Sequence, residues 1–268
     1  EAEQRVRDLV VELHGLVGAD ALCHSVDGVS RRRAATIKPG VLTEIERTRQ
    51  AQCSRVVVTT PGVVRGFDQL YLPEGFALIA ADASVPYRTS AKYVDRYDAE
   101  NVAAVLAEDF QTHGAPLVIR KDRASCHTAE PVASVLRDYR VLLLQGPAYY
   151  PQYYGQLERQ NTEHRAWCAW ESTINQVELD RMKTALNELW RRPTLSWRSA
   201  AQCWATRPPL DDERDRLHDE VQQRVQRLVA RGVEEDLAMR LAIEQALTER
   251  GYLQITWGTQ TAMRTDTL

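Results

Sequence analysis

Three acidic residues stand where folding could bring their carboxylates together. Asp68 follows the strand-like residues 62–67, and Asp122 ends a short apolar run at 116–121. Glu158 opens an expected helix after a loop rich in Gly, Pro and Tyr. One acid in the first turn of a helix is ordinary, because the helix dipole favours a carboxylate there. Carboxylate oxygens are also good ligands for Mg²⁺ and Mn²⁺. The three acids could therefore form a metal site if the fold places their side chains close together.

The spacing of these acids is more distinctive than any one of them. Between Asp68 and Asp122 lie 53 residues, and between Asp122 and Glu158 lie 35. The loop before Glu158 reads QGPAYYPQYYGQLERQN, with a Pro-Gln pair, a Gly, a Glu-Arg pair and an Asn. Spacing and loop together resemble the D,D-35-E catalytic domains of retroviral integrases and bacterial insertion-sequence transposases, over roughly residues 56–207.

This resemblance implies a DNA transposase or integrase that cleaves and transfers DNA strands with two divalent ions, Mg²⁺ or Mn²⁺. It implies that Asp68, Asp122 and Glu158 are both the catalytic residues and the metal ligands, with Asp68 bridging the two ions. Two such ions can activate a nucleophile and stabilise a leaving oxygen. The implied partners are double-stranded DNA, at element ends and target, and further copies of the chain, since two ends must be joined.

The sequence also departs from the family pattern and leaves alternatives open. Arg123-Ala124 follows Asp122 where transposases usually have Asn-Gly, and Arg65 replaces the usual Trp three residues before the first aspartate. The alternative function is therefore a domesticated, catalytically inactive relative that binds DNA. A transcription regulator using only residues 1–50 would leave the acid spacing unexplained. Asp82 could be mistaken for the first aspartate, but we interpret it as structural.

The order of apolar runs predicts the fold of the central region. Strands are expected at 63–72, 76–83, 93–97, 117–120 and 141–144, with helices at 98–113, 131–139 and from 157 onward. By resemblance this order is that of the ribonuclease-H-like fold, an α/β fold with a mixed five-stranded sheet and flanking helices. In that fold the fourth strand lies beside the first, which would bring Asp68 and Asp122 together.

We expect three domains: residues 1–53, 54–207 and 208–268. The first has helix-like patterns at 1–17, 19–26 and 31–38, with Ser30 as N-cap and Pro39-Gly40 ending the third helix. This outline predicts a helix-turn-helix-like domain whose DNA-binding residues are Arg31, Arg32 and Arg33. The alternative is a small helical bundle with a solvated arginine face. The last domain is expected to be a charged helical extension.

Two arginines on the helix of Glu158, Arg159 and Arg165, are candidates for phosphate contacts, although they could equally be solvated. Glu163 lies on the same helix outside the pattern, so we expect it to be dispensable for activity. The net charge is −3, unusual for a DNA-binding protein, but basic residues cluster locally. Five scattered cysteines without a C-x-x-C pair argue against a disulfide framework or structural zinc. No apolar run is long enough for a membrane span, and we expect a cytoplasmic, nucleoid-associated bacterial protein.

Overall fold

The structure is a computed structural model that describes residues 2–52, 54–121, 129–146, 155–210 and 214–257. The chain divides into two compact units, with boundaries after Arg55 and after Ile255. The first unit contains helices α1 (Ala2–Glu12), α2 (Ala19–Ser25) and α3 (Arg31–Gln52). No helix in the described ranges is long and apolar enough to cross a membrane.

The second unit is built around strands and helices that alternate along the chain. Its strands are β1 (Ser54–Val58), β2 (Val64–Leu72), β3 (Gly75–Asp82), β4 (Arg88–Val94), β5 (Val118–Lys121), β6 (Leu142–Gln145), β7 (Arg191–Arg192), β8 (Arg198–Ser199) and β9 (Leu253–Trp257). Its helices are α4 (Ala99–His113), α5 (Glu130–Asp138), α6 (Gly155–Cys168), α7 (Gln176–Thr184), α8 (Ala200–Ala205), α9 (Arg214–Val229) and α10 (Glu235–Glu249).

Helix α3 is longer than the sequence predicts. Its start is as expected, because the backbone N–H of Arg33 donates to the Ser30 hydroxyl at 3.2 Å. The predicted end before Pro39 is wrong, since the helix continues to Gln52. A proline removes one helical hydrogen bond and crowds the preceding turn. Ile37 and Val41 are buried in the core of the first unit on either side of Pro39, so tertiary packing holds the helix through this break.

The main sheet has the strand order β4-β3-β2-β5-β6. Strands β4, β3 and β2 are antiparallel neighbours, whereas β2, β5 and β6 run parallel. The predicted five-stranded mixed sheet is therefore confirmed, including the placement of the fourth strand beside the first. The predicted start of the third strand at residue 93 is wrong, because β4 begins at Arg88. Arg88, Thr89 and Ser90 are polar yet buried, so the sequence has no apolar pattern that would indicate this part of the strand.

Helices cover both faces of the main sheet. Phe67 of β2 packs with apolar residues of α4 and α5, whereas Leu70, on the opposite face of the same strand, packs with Leu179, Met182 and Leu186 of the α7 region. Helices α9 and α10 belong to the same compact unit, and their apolar side chains share a core with residues of β2, β5 and β6. Asp68 lies an odd number of residues from Phe67, so it is on the α7 side of the sheet.

Candidate functional site

Asp68 is the residue around which the candidate site is arranged. It lies in the middle of β2, opposite Ile79 of β3, and is half-buried. One carboxylate oxygen, Oδ1, accepts the backbone N–H of Gln69 at 2.8 Å. The other, Oδ2, accepts a close hydrogen bond from the side-chain amide of Asn161. Because Asn161 is a buried residue of α6, this contact fixes α6 against the central strand.

Glu158 is brought to the same side of the sheet by its position on α6. It lies in the first turn of the helix, is exposed, and precedes Asn161 by three residues. Residues three apart on a helix lie on the same face. The face of α6 that contacts Asp68 therefore carries Glu158 one turn closer to the helix N-terminus. Glu158 is exposed and Asp68 is partly accessible, so solvent reaches both carboxylates.

Asp122, the third predicted acid, lies outside the described residues. The described part of β5 pairs with β2 in parallel, through Val64 with Val118, Arg65 with Ile119 and Gly66 with Arg120. The members of each pair differ by 54 in residue number, which is also the difference between Asp68 and Asp122. Within the described ranges alone, no three His, Cys, Asp or Glu side chains are grouped so as to hold a metal ion.

A buried ion-pair network holds α6 at a second point along the helix, at Glu163. The Glu163 carboxylate accepts hydrogen bonds from both terminal nitrogens of Arg192, at 2.7 and 2.8 Å, and a close hydrogen bond from Arg88. Burial alone would raise the pKa of Glu163, but the hydrogen bonds of Arg192 and the charge of Arg88 outweigh it and lower the pKa. Glu163 is therefore ionised and structural, and the expectation that it is dispensable overlooked this role.

Arg88 also connects α6 to β4, the edge strand of the main sheet. The Arg88 Nε–H donates to His164 Nε2 at 3.0 Å, and both side chains are buried. Burial, and secondarily the charge of Arg88, lowers the pKa of His164 well below its ordinary value, so the imidazole is neutral. The Asn187 amide accepts from the Arg88 backbone N–H at 2.8 Å and donates to the Arg88 carbonyl at 2.9 Å. Asn187 thus pairs with the β4 edge as a neighbouring strand would.

Sequence reasoning missed Arg88, His164 and the pairing of Arg192 with Glu163. Isolated polar residues give no periodic signal, and these partners are far apart in the sequence.

The rival acid Asp82 has a different environment from Asp68. Its buried carboxylate accepts backbone N–H groups of Gly62 at 2.7 Å, Ser84 at 2.9 Å and Val85 at 2.8 Å. Burial raises the pKa of Asp82 to about 6, although these hydrogen bonds act in the opposite direction. A carboxylate whose oxygens are already engaged by the backbone is organised to hold the chain, which agrees with a structural role.

Arg65, which stands where the family usually has Trp, belongs to the core rather than to the site. Its guanidinium forms an ion pair with Asp109, in which neither side chain is accessible beyond 1%. The guanidinium also donates to the Gly114 carbonyl at 3.1 Å. Its central carbon lies 6.0 Å from the ring centroid of Phe110 and 5.9 Å from that of Trp204. The planar guanidinium of Arg65 thus occupies a buried position next to the aromatic rings of Phe110 and Trp204.

The predicted DNA-binding arginines are all exposed. Arg159 and Arg165 lie on α6, on the helix that carries Glu158. In the first unit, Arg31 forms a close ion pair with Asp20 of α2, and Arg33 forms one with Glu3 of α1 at 2.6 Å. The hydrogen bond between Arg33 and Glu3 raises the pKa of the arginine and lowers that of the glutamate. The basic run is therefore partly neutralised within its own unit.

Comparison of this chain with known proteins identifies its fold but no close relative. No protein-family model matches the sequence, and no curated protein matches it. A chain of the simian T-cell lymphotropic virus intasome in complex with PP2A regulatory subunit B56 gamma has a TM-score of 0.51 and 15% identity, over 77% of this chain and 76% of that one. The catalytic core domain of BIV integrase has a TM-score of 0.45 and 17% identity, over 54% of this chain and 94% of that one.

A further similar structure is the HTLV-2 integrase catalytic core domain in complex with magnesium, in its trimeric form. Its TM-score is 0.43 and its identity 12%, over 53% of this chain and 96% of that one. Together with the observed strand order, the intasome match shows that the chain has the ribonuclease-H-like α/β fold of integrase catalytic cores, joined to a helical N-terminal region.

Proposed function

We propose that this protein is a metal-dependent polynucleotidyl transferase, a DNA transposase or integrase that cleaves DNA strands and joins them to a target. The observation that carries the proposal is the contact between Asn161 and Asp68, which holds the Glu158 face of α6 beside the central strand. Glu158 lies one turn before Asn161 on α6, which supports a place for it on the same side of the sheet as Asp68. The strands that lead to Asp68 and Asp122 are neighbours, as the proposal requires.

The proposed metal ligands are Asp68, Asp122 and Glu158. An all-oxygen donor set suits Mg²⁺ or Mn²⁺, and an exposed Glu158 is compatible with ions that retain water. We propose that the parallel pairing of β2 and β5 continues for two residues, which would put Asp122 beside Asp68 because their numbers differ as the described pairs do. Two divalent ions, when bound, would supply positive charge to the attacking and leaving oxygens.

The protein's own contribution is to position these carboxylates. Asn161 and the Gln69 backbone N–H hold the two oxygens of Asp68 from different sides. The Glu163 network holds α6 at a second point, through Arg88 and Arg192, which supports the position of its first turn. Preorganised charge of this kind matters because phosphoryl transfer depends on positioning and electrostatic stabilisation rather than on a covalent intermediate.

We also propose that double-stranded DNA is the partner and that copies of the chain assemble on it, since strand joining requires two DNA ends. Residues 1–53 would bind DNA through Arg31, Arg32 and Arg33, residues 54–207 would carry catalysis, and residues 208–268 would form a helical extension. Exposed Arg159 and Arg165 would contact phosphates beside the acids. Cytoplasmic association with the bacterial nucleoid fits this proposal.

Replacing Glu158 with Gln tests the catalytic assignment. The amide keeps the shape of the side chain but removes the charge that a hard cation prefers, so metal-dependent cleavage should fall about a hundredfold or more. DNA binding should persist or tighten, because less negative charge faces the phosphates. The measurement is cleavage and joining of duplex DNA that carries the sequences flanking the gene, with Mg²⁺ or Mn²⁺, beside a binding titration.

The matched control is Glu235→Gln, which changes an exposed glutamate in the first turn of α10 and should leave cleavage unchanged. Equal cleavage by the wild type and Glu158→Gln would refute the three-carboxylate assignment. A wild type that binds DNA but never cleaves with either ion would favour the inactive, DNA-binding alternative instead.

A further inference from the structure

A short hairpin next to α6 presents two tryptophans to solvent. We call residues 190–199, which include β7 and β8, the tryptophan hairpin. Trp197 is 69% exposed and Trp190 is 43% exposed, which is unusual for side chains of this size. Neither residue takes part in the catalytic arrangement described above, so their exposure needs another explanation.

Trp190 is held in place although it is exposed. The Arg192 guanidinium lies 3.9 Å from the centroid of the Trp190 ring while its terminal nitrogens bind Glu163. A cation over an aromatic face is attracted by the ring's electron density. Because Arg192 is itself fixed by a buried ion pair, Trp190 is connected to α6 through a rigid contact, and little side-chain freedom remains to be lost when a ligand binds.

Trp197 is held outward by an uncommon backbone conformation. Ser196 and Trp197 have φ angles of 54° and 60°, in the left-handed region. Such angles are uncommon outside glycine and are true outliers for bulky residues, and they tend to persist at functional positions. The Trp197 backbone N–H donates to the Arg192 carbonyl at 2.9 Å, which closes the turn in this conformation. The chain therefore keeps a strained turn whose result is an exposed indole.

The exposed charges of the hairpin are basic. Arg191 and Arg198 are exposed, and across the described ranges neither guanidinium forms an ion pair with a carboxylate. Arg191 donates to the Gln202 side-chain oxygen, and Arg198 donates weakly to the Leu195 carbonyl at 3.4 Å. In a chain of net charge −3, this patch is locally positive.

We infer that the tryptophan hairpin binds single-stranded DNA, with bases stacking on Trp190 and Trp197 and phosphates contacting Arg191 and Arg198. Exposed aromatic faces interleaved with unpaired cations are the usual means of holding unpaired nucleic acid without sequence preference. This inference rests on the proposed function, in which DNA is the substrate and strand ends are exposed during cleavage. Tryptophan and arginine are also common at protein interfaces, but two guanidinium groups without carboxylate partners favour a phosphate ligand.

Binding of a fluorescent oligothymidine of about 20 nucleotides tests the inference, measured by anisotropy with EDTA at one fixed salt concentration. Trp197→Ala and Arg198→Gln should each raise the Kd about fivefold or more, the range expected for loss of one base stack or phosphate contact. Trp197→Phe should restore much of the affinity, because the ring still stacks. Trp170→Ala removes another exposed tryptophan and is the matched control, which should bind as the wild type does.

The inference is overturned if both hairpin variants bind oligothymidine as tightly as the wild type. It is also overturned if Trp197→Ala changes only self-association in sedimentation, which would make the hairpin a protein contact. Thermal unfolding of each variant separates misfolding from lost binding, and Arg198→Gln remains informative if Trp197→Ala does not fold. Because the binding assay contains no divalent ions, its result does not depend on catalysis. A wild type that cleaves duplex DNA but does not bind oligothymidine refutes this inference alone. One that binds oligothymidine through Trp197 but never cleaves refutes the proposed activity alone.

Discussion

At the scale of single residues, two aspartates on neighbouring strands illustrate how environment decides role. Asp68 is half-buried, and its carboxylate receives one backbone and one side-chain hydrogen bond, on a side of the sheet that solvent reaches. Asp82 is fully buried, and three backbone N–H groups surround its oxygens. The Asp68 carboxylate is partly accessible to solvent, whereas the Asp82 carboxylate is a closed structural contact.

The raised pKa of Asp82 predicts a pH-dependent contribution to stability. The folded protein keeps the Asp82 proton up to about pH 6, whereas the unfolded chain releases it near 3.8. Between these values the folded state binds more protons, so the contribution of Asp82 to the free energy of unfolding falls as pH rises. The loss between about pH 4 and about pH 7 should be at most about 3 kcal/mol.

Urea unfolding of the wild type and Asp82→Asn at both pH values measures this effect as a difference. The wild type should lose stability relative to Asp82→Asn as pH rises, and Asp95→Asn, at an exposed position, controls for the substitution itself. A stability difference that is the same at both pH values would mean that Asp82 does not titrate as burial requires.

At the scale of elements, α6 is held by two sets of contacts. Asn161 contacts Asp68 of the central strand, and Glu163 and His164 contact Arg88 and Arg192. A helix placed between two such sets of contacts cannot shift without breaking buried hydrogen bonds. The position of Glu158 therefore depends on residues elsewhere on α6 and on their partners.

Glu163→Gln should destabilise the protein strongly. The substitution leaves Arg88 and Arg192 buried without a compensating negative charge, and breaking one partner of a buried ion pair typically costs about 3–5 kcal/mol. Urea unfolding at neutral pH would measure the loss, with Glu235→Gln as the exposed control. Unfolding at the same urea concentration as the wild type would show that the network contributes nothing and that α6 is held by other contacts.

At the scale of the whole molecule, we propose DNA binding for the first unit, which contains α1 to α3, and catalysis for the second. Arg31 and Arg33 already pair with acids of α1 and α2, but exposed ion pairs are weak and can exchange for phosphate. Changing Arg31, Arg32 and Arg33 together to Ala should weaken duplex DNA binding. It should also reduce the salt dependence of the affinity by roughly 0.9 in logarithmic slope for each lost phosphate contact.

Titrations at several salt concentrations test this prediction. Arg227 and Arg231, exposed arginines of the α9 region, provide control substitutions to Ala, and circular dichroism checks that the helices of the first unit remain. If the triple variant keeps both the affinity and the salt slope of the wild type, the first unit is a helical bundle with a solvated basic face.

Much of the architecture could be predicted from the sequence because its signals are local. Apolar runs located four of the five strands to within one residue, whereas the third begins five residues earlier than predicted. The resemblance of this order to the ribonuclease-H-like fold implied which strands are neighbours. The spacing of Asp68, Asp122 and Glu158 predicted an acidic site, and the fold brings Asp68 and the helix of Glu158 together. Hydropathy and spacing are properties of the chain itself, so these predictions needed no knowledge of contacts.

Only the tertiary structure decided what depends on partners distant in the chain. Arg88 is buried because Glu163 and Asn187 meet it from far along the sequence, and a single polar residue gives no sign of this. Helix α3 passes Pro39 because Ile37 and Val41 are packed on both sides. Trp197 looks apolar in sequence, yet a left-handed turn keeps it in solvent. In each case the decisive free energy comes from contacts between distant segments, and those contacts exist only once the chain has folded.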